Sequence, residues 1–232
     1  MRFRPSLWLT IFAAMAFAVL CGLGYWQLQR LDWKQGLIEQ IAARMDQPAR
    51  PLPQALADPT EWRFRRVELS GVFRHEGEVY RAGRPEDGEI GYRVFTPLVR
   101  ESGRVVMIER GWVPGRFRDP AARPGEPPRG EVTVTGVLRL PDPDTIFTPG
   151  PDAASRTWFA VDPPAMAAVS GLDAPAWYVV AEGGGEWPRA ERPDLNLRNT
   201  HLNYALTWFS LAAVLAVIWL IMGFRRGRER RR

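Results

Sequence analysis

Two long apolar blocks bracket a polar middle. The first covers residues 7–28 and carries no charge from Leu7 to Gly24. The second covers residues 204–224, with Thr207 and Ser210 as its polar interruptions. A helix rising about 1.5 Å per residue needs about 20 mainly apolar residues to cross roughly 30 Å of hydrocarbon. Both blocks reach that length. Past the first block, Trp33, Leu37, Ile38, Ile41 and Met45 recur at helical spacing among Arg30, Lys34, Glu39 and Arg44. That spacing predicts an amphipathic extension of the same helix over residues 29–46, ended by Gln47-Pro48. Pro48, Pro51 and Pro53 then predict a stiff connector.

Between residues 63 and 182 the pattern changes to short β-rich runs. Residues 67–73, 92–99 and 104–109 are three of them, and the Gly103 turn predicts a hairpin between the last two. Val132, Val134, Leu138 and Leu140 alternate along a further strand, with Gly136 as a candidate bulge. Residues 157–161 and 177–181 are two more short runs. One helix is marked by Asp162 as N-cap, Pro163 in the first turn, residues 166–169 as body and Gly171 as stop. Residues 114–130 and 141–155, rich in proline and glycine, predict long exposed loops. The predicted fold class is a membrane-anchored α+β protein, with two transmembrane helices flanking a mainly antiparallel β extramembrane domain with a little helix. The expected divisions are a tail at 1–6, a span at 7–28, its extension at 29–46, the β domain at 47–200, a second span at 201–224 and an arginine-rich tail at 225–232. A domain of that size supports a core without metal or disulfide staples.

Charge orients this arrangement. Arg2 and Arg4 precede the first block, and six arginines with one glutamate follow the second. They outweigh the whole-chain net charge of +5, so the part between the tails is acidic on balance. Basic residues beside spans mark the cytoplasmic side, and two crossings return the chain to the side it started from. Both termini are therefore expected in the cytoplasm. The arginines are expected to meet anionic membrane lipid and not nucleic acid. Ala14-Met15-Ala16 resembles a signal-peptidase site, but apolar sequence runs on beyond it. Bulky Leu20 before Cys21 argues against a lipoprotein signal, so the first span is expected to be a retained anchor. Cys21 is the single cysteine, which leaves the β domain without disulfides.

Chemistry-bearing motifs are few. The sequence has no Walker loop, GxSxG, HExxH or CxxC, and only two histidines, His75 and His201. An enzyme is not expected. His75 falls in a predicted surface turn. His201 opens the expected second span, and His201, Tyr204 and Trp208 share a helix face by i, i+3, i+7 spacing. Two readings fit that stripe: an aromatic belt with a wetted histidine, or an axial haem ligand with rings packed on a porphyrin. At the end of the first block Trp26, Arg30 and Trp33 share a face as well. Interfacial anchoring accounts for them. So does a pocket between the spans in which Arg30 meets a carboxylate such as a haem propionate.

The run Gly24-Tyr25-Trp26-Gln27-x-x-Arg30-x-x-Trp33-Lys34 resembles the opening signature of the surfeit locus protein 1 family. The likeness continues in order through Gly83-Arg84-Pro85, Gly91-Tyr92-x-Val94-x-Thr96-Pro97-Leu98 and Glu109-Arg110-Gly111-Trp112-Val113-Pro114. It goes on through Gly136-x-x-Arg139, Trp158-Phe159-x-x-Asp162 and Ala165-Met166-Ala167, and closes with residues 199–209. The resemblance implies a non-enzymatic assembly factor for haem-a-containing cytochrome c oxidase, handling haem a while the catalytic subunit matures. The alternative is a haem-free membrane scaffold that holds an oxidase subunit or another assembly factor. The implied partners are the catalytic subunit and the haem a synthesis machinery. The implied location is a bacterial inner membrane with the main domain periplasmic. The resemblance makes His201 the iron ligand and gives Trp26, Arg30, Tyr204 and Trp208 supporting places around haem a. Thr200 departs from the pattern, because many family members carry a second asparagine there.

Overall fold

A computed structural model of the chain describes residues 3, 5–83, 88–143, 145–146, 148–152, 154–190 and 200–229, the last three without their side chains. Arg84-Pro85 of one motif, Asn199 of another, and Arg2, Arg4 and residues 230–232 of the tails lie outside the described residues. The chain divides into two compact units: Met1–Gln40 with Asn196–Arg232, and Ile41–Leu195.

The first unit is built on two helices. Helix α1 (Leu7–Met45) runs through the predicted 28/29 division without a break, and α3 (His201–Glu229) carries the second apolar block. Both are long and apolar enough to cross a membrane. Their mutual contact uses small residues. Ala205 and Ala212 of α3 are buried. A Cβ added to Gly24 of α1 would lie 2.7 Å from the Phe209 ring, so glycine is what lets the ring seat there. Small residues of this kind let helix backbones approach closely. His201, Ala205, Trp208 and Ala212 follow the alternating four–three spacing of a straight packing seam. Farther along, Trp219 Nε1 donates to Thr10 Oγ1 at 3.2 Å, and Phe3 meets the edges of Trp219 and Phe224.

The second unit is a β barrel. In chain order its strands are β1 (Arg50–Pro51), β2 (Arg66–Phe73), β3 (Val79–Ala82), β4 (Gly91–Val99), β5 (Val105–Pro114), β6 (Glu131–Arg139), β7 (Thr157–Trp158) and β8 (Tyr178–Ala181). Helix α2 (Pro163–Ala168) lies between β7 and β8. Hydrogen bonding runs β2-β6-β8-β5-β4, and a further β2–β4 pairing closes the ring. Five strands joined in this order make a Greek-key barrel of the OB type. Every ring pairing is antiparallel except β5–β8, which is parallel. The β1–β2 and β3–β7 pairings outside the ring are parallel too. The expected mainly antiparallel β domain is therefore a closed barrel with one parallel pairing, β5–β8.

Local chemistry explains the elements. Along β2, Val67 and Leu69 point inward while Glu68 and Ser70 point out, the period-two pattern of a strand with one face on a core. Strand β5 is apolar continuously from Val105 to Ile108 because both its faces are covered. Val106 and Ile108 join Leu69, Leu98, Leu138 and Val179 inside the barrel. Val105 and Met107 pack outside it with Met166 and Ala167 of α2. That helix starts as predicted: Asp162 accepts from Ala165 N at 3.2 Å, Pro163 holds the first turn, and Gly171 follows its end at φ +70°.

Two sequence expectations are corrected. Gly136 is in register between Val67 and Ala181 and is no bulge; a Cβ there would lie 2.3 Å from Val180 O, so the residue is small because β8 crosses closely. The stretch 114–130 is not simply an exposed loop. It starts inside β5, makes two 3-10 turns and buries the Arg123 side chain. The proline connector is also pinned: Arg100 donates to the carbonyls of Leu52 and Pro53, at 2.8 Å each.

Candidate functional site

The helix pair brings some of the predicted site residues together and separates others. His201 is half-buried, and its Nδ1 lies 2.7 Å from Gln27 Oε1 on α1. Gln27 is a polar side chain within the first apolar block, one turn from the Gly24 contact, and sequence reasoning passed over it. The signal was present: a polar group inside an otherwise apolar span requires a partner. An amide oxygen accepts, so His201 donates from Nδ1 to Gln27.

The other candidates surround this contact without joining it. Trp208 is half-buried just under one turn beyond Ala205, whereas Tyr204 is 54 % exposed. Trp26, next to Gln27 in sequence, is turned about 100° away from it by the helix repeat and is 52 % exposed. Arg30 is exposed and stacks on its own neighbour, its Cζ 4.2 Å from the Trp33 ring centre. The shared face of Trp26, Arg30 and Trp33 is real, and it lies beside the Gln27 face of α1. Among the described residues no cluster of His, Cys, Asp and Glu could hold a metal ion by itself.

The barrel contains a second polar constellation that sequence reasoning did not find. Glu78, at the entrance to β3, is buried, and its carboxylate takes Arg123 at 2.6 and 3.2 Å and the Tyr80 hydroxyl at 2.9 Å. Arg123 also donates to the carbonyls of Phe117 and Arg118, so one buried ion pair ties the 115–123 turns to the barrel. Burial and the charge of Glu78 hold the Tyr80 phenol protonated far above its ordinary range. Arg110 lies nearby, 3.8 Å from Glu78 and over the Phe73 ring, and desolvation lowers its pKa from the usual arginine range.

The backbone around Arg110 explains the Arg110-Gly111-Trp112 sequence. Phe95 pairs with Glu109 but Val94 pairs with Gly111, so Arg110 is the extra residue of a β-bulge. Gly111 has φ +127°, and a Cβ there would come 2.1 Å from Arg189 O. That close approach lets Trp112 and Arg189 exchange backbone hydrogen bonds of 2.9 and 2.8 Å. The bulge re-aims Arg110, and the glycine admits the crossing segment.

Fold and site together define a class: a small Greek-key β-barrel protein bearing two long apolar helices that meet at a histidine–glutamine contact. The SURF1 family model matches residues 14–213. A SURF1-like protein of Caenorhabditis elegans is 32% identical over 227 residues, covering 85% of this chain and 68% of that protein. Surfeit locus protein 1 of Mus musculus is 32% identical over 231 residues, covering 90% and 74%. Surfeit locus protein 1 of Takifugu rubripes is 31% identical over 221 residues, covering 87% and 91%. The chain belongs to the SURF1 family.

Proposed function

We propose that the protein is a membrane-anchored, non-enzymatic assembly factor for haem-a-containing cytochrome c oxidase, and that it handles haem a at His201 while the catalytic subunit matures. Family membership supports the assembly role. The observation that carries the haem reading is the 2.7 Å contact between His201 Nδ1 and Gln27 Oε1. A histidine that ligates a metal through one ring nitrogen commonly donates from the other to a protein acceptor, which orients the ring and raises its basicity. The residues present therefore fit a histidine that would hold a haem iron.

In this reading His201 is the residue that would hold the haem iron, with Gln27 orienting its imidazole through the Nδ1 contact. Arg30 is the cation available to a propionate carboxylate, and Trp26, Tyr204 and Trp208 supply apolar ring surface. Bound haem a would contribute the iron that accepts the imidazole and the two carboxylates that accept a cation. Neither role requires bond making in the protein, so the chain holds, orients and releases its cargo. The helices cross the inner membrane of a bacterium with both termini cytoplasmic, and the barrel lies in the periplasm, where it meets the catalytic subunit and the haem a synthesis machinery.

A haem-free scaffold is the second reading. Trp26 and Tyr204 favour it, each more than half exposed, as rings anchored at a membrane interface are. Purification from cells that make haem a separates the two. The haem reading expects a Soret band on the purified protein. Colourless protein that still carries the oxidase catalytic subunit would establish the scaffold instead.

A further inference from the structure

The barrel unit holds a cleft of about 520 Å³ between the open side of β6, the Arg110 bulge and the segment that follows β8. That volume is in the range of a ligand site. One wall is a sheet edge. Strand β8 pairs with β6 only from Gly136 to Arg139, and Glu182 N donates to Thr135 O before the chain departs through residues 183–185. Leu138 exchanges backbone hydrogen bonds toward the β2 side, with Arg65 and Phe64. Alternate residues of an antiparallel strand bond to opposite sides, so residues 134, 136 and 138 face β2, and 133 and 135 face away. The 2.9 Å contact between Ser70 Oγ and Thr133 Oγ1 fits a pair whose backbones do not bond each other, since side chains lie closer in such pairs. The N–H and C=O of Thr133 thus lie on the side of β6 that β8 has left.

The other wall supplies a charge. Among the described residues the Arg110 guanidinium has no hydrogen bond; its nearest carboxylate oxygen, 3.8 Å away, already takes Arg123. Arg110 is largely buried, with a side-chain exposure of 13 %. Glu182 on the cleft wall is paired to Arg66 at 2.7 Å, and Glu126 at the rim faces Arg129 at 3.5 Å. Among the described residues that line the cleft, Arg110 is then the cation without a hydrogen-bonded carboxylate. A single carboxylate balances it, whereas a phosphate dianion would add repulsion from Glu78, Glu126 and Glu182. Phe73, Trp187, Val132 and Pro188 make the rest of the lining apolar.

We propose that this cleft binds an extended peptide ending in a carboxylate, which pairs its backbone with β6 at Thr133 and sets its carboxylate on Arg110. Strand addition supplies affinity through main-chain hydrogen bonds, and the guanidinium selects the chain end. The cleft shares no residue with the helix pair, and the proposal holds whether or not the protein binds haem.

The test uses the full chain in detergent micelles and a fluorescein-labelled heptapeptide of alternating valine and threonine with a C-terminal leucine. Fluorescence anisotropy is expected to show saturable binding of the free acid and at least tenfold weaker binding of the C-terminal amide. Arg110→Gln is expected to remove that preference for the acid. Thr133→Pro, which deletes an edge N–H that β2 does not use, is expected to weaken acid and amide alike by about tenfold. Thermal unfolding of both variants, and of Arg110→Lys, identifies any that has lost its fold. No saturable binding to the wild type, equal binding of acid and amide, or an unaltered preference in a folded Arg110→Gln protein would overturn the proposal. Binding of dodecanoate but not of the peptide would overturn it too, and would assign the cleft to a free amphipathic acid.

Discussion

The helix pair and the barrel turn opposite faces to their surroundings. On α1 and α3 the large apolar side chains are outside: Trp8, Phe12, Val19, Leu206, Val214 and Ile218 are all exposed. What the two helices turn toward each other is largely small or polar, namely Gly24 beneath the Phe209 ring, Ala205 and Ala212, the Gln27–His201 contact and the Trp219–Thr10 bond. The barrel hides Val67, Leu98, Ile108, Leu138 and Val179 completely or nearly so, and the polar side chains it buries, such as Glu78 and Arg123, are paired. Burial of apolar area, at roughly 25 cal/mol per Å², holds the barrel together. In hydrocarbon that term vanishes between helices, and close backbone approach and hydrogen bonds remain. A polar side chain therefore means different things in the two regions. In the barrel, Glu78 is a buried group that must be paired. In the helix pair, Gln27 and His201 specify how two otherwise featureless apolar rods meet.

Substitutions can break this contrast, beginning in the barrel. Arg123→Leu leaves the Glu78 carboxylate without its principal cation and is expected to cost about 3–5 kcal/mol, read as a lower urea midpoint of tryptophan fluorescence in micelles. Gly111→Ala should follow at about 1–3 kcal/mol, since it combines a positive φ with a backbone collision. Gly22→Ala, which meets nothing within 4 Å on α1, should leave the same midpoint unchanged or higher.

The pH dependence of the barrel sharpens the point about burial. Tyr178 packs against Phe95, and burial, aided by the charge of Glu109, pushes its phenol up to about 12 from an ordinary value near 10. Between these values the unfolded chain has lost a proton that the folded chain keeps, so stability falls as pH rises above about 10. The urea midpoint should drop less steeply from pH 9.5 to 11.5 in Tyr178→Phe than in the wild type. A small loss is expected at the helix contact. Trp219→Phe keeps the ring and loses the bond to Thr10, worth about 0.6 kcal/mol on average between membrane helices. Helix contact read by thermal denaturation in micelles should shift only slightly.

Features encoded locally were legible before the fold. The β4–β5 hairpin follows from Gly103, whose N–H bonds to Arg100 O at φ +79°, and α2 from Asp162 and Pro163. Apolar length alone marked α1 and α3. The barrel's closure was not legible, because β5 meets β8 in parallel across some seventy residues of chain and no local pattern records that register. Glu78 and Arg123 were hidden for the same reason: each looks like a surface charge until the 115–123 turns bring them together. At the helix site, spacing put His201, Tyr204 and Trp208 on one stripe; the structure half-buries His201 and Trp208 and leaves Tyr204 more than half exposed. Gln27 was overlooked because the eye follows Trp26 and Arg30, the larger and more charged neighbours. Helix geometry turns those two aside and leaves the amide to meet the imidazole.

The central claim is that His201, held by Gln27, is the place where cargo is carried. The most direct measurement is the Soret spectrum of wild-type, His201→Ala and Gln27→Ala proteins, each purified from cells that make haem a. The wild type is expected to retain the pigment, His201→Ala to lose it, and Gln27→Ala to retain it with affinity reduced about tenfold or more, because the ligand is still present but no longer oriented. An unchanged spectrum in a folded His201→Ala protein would contradict the account.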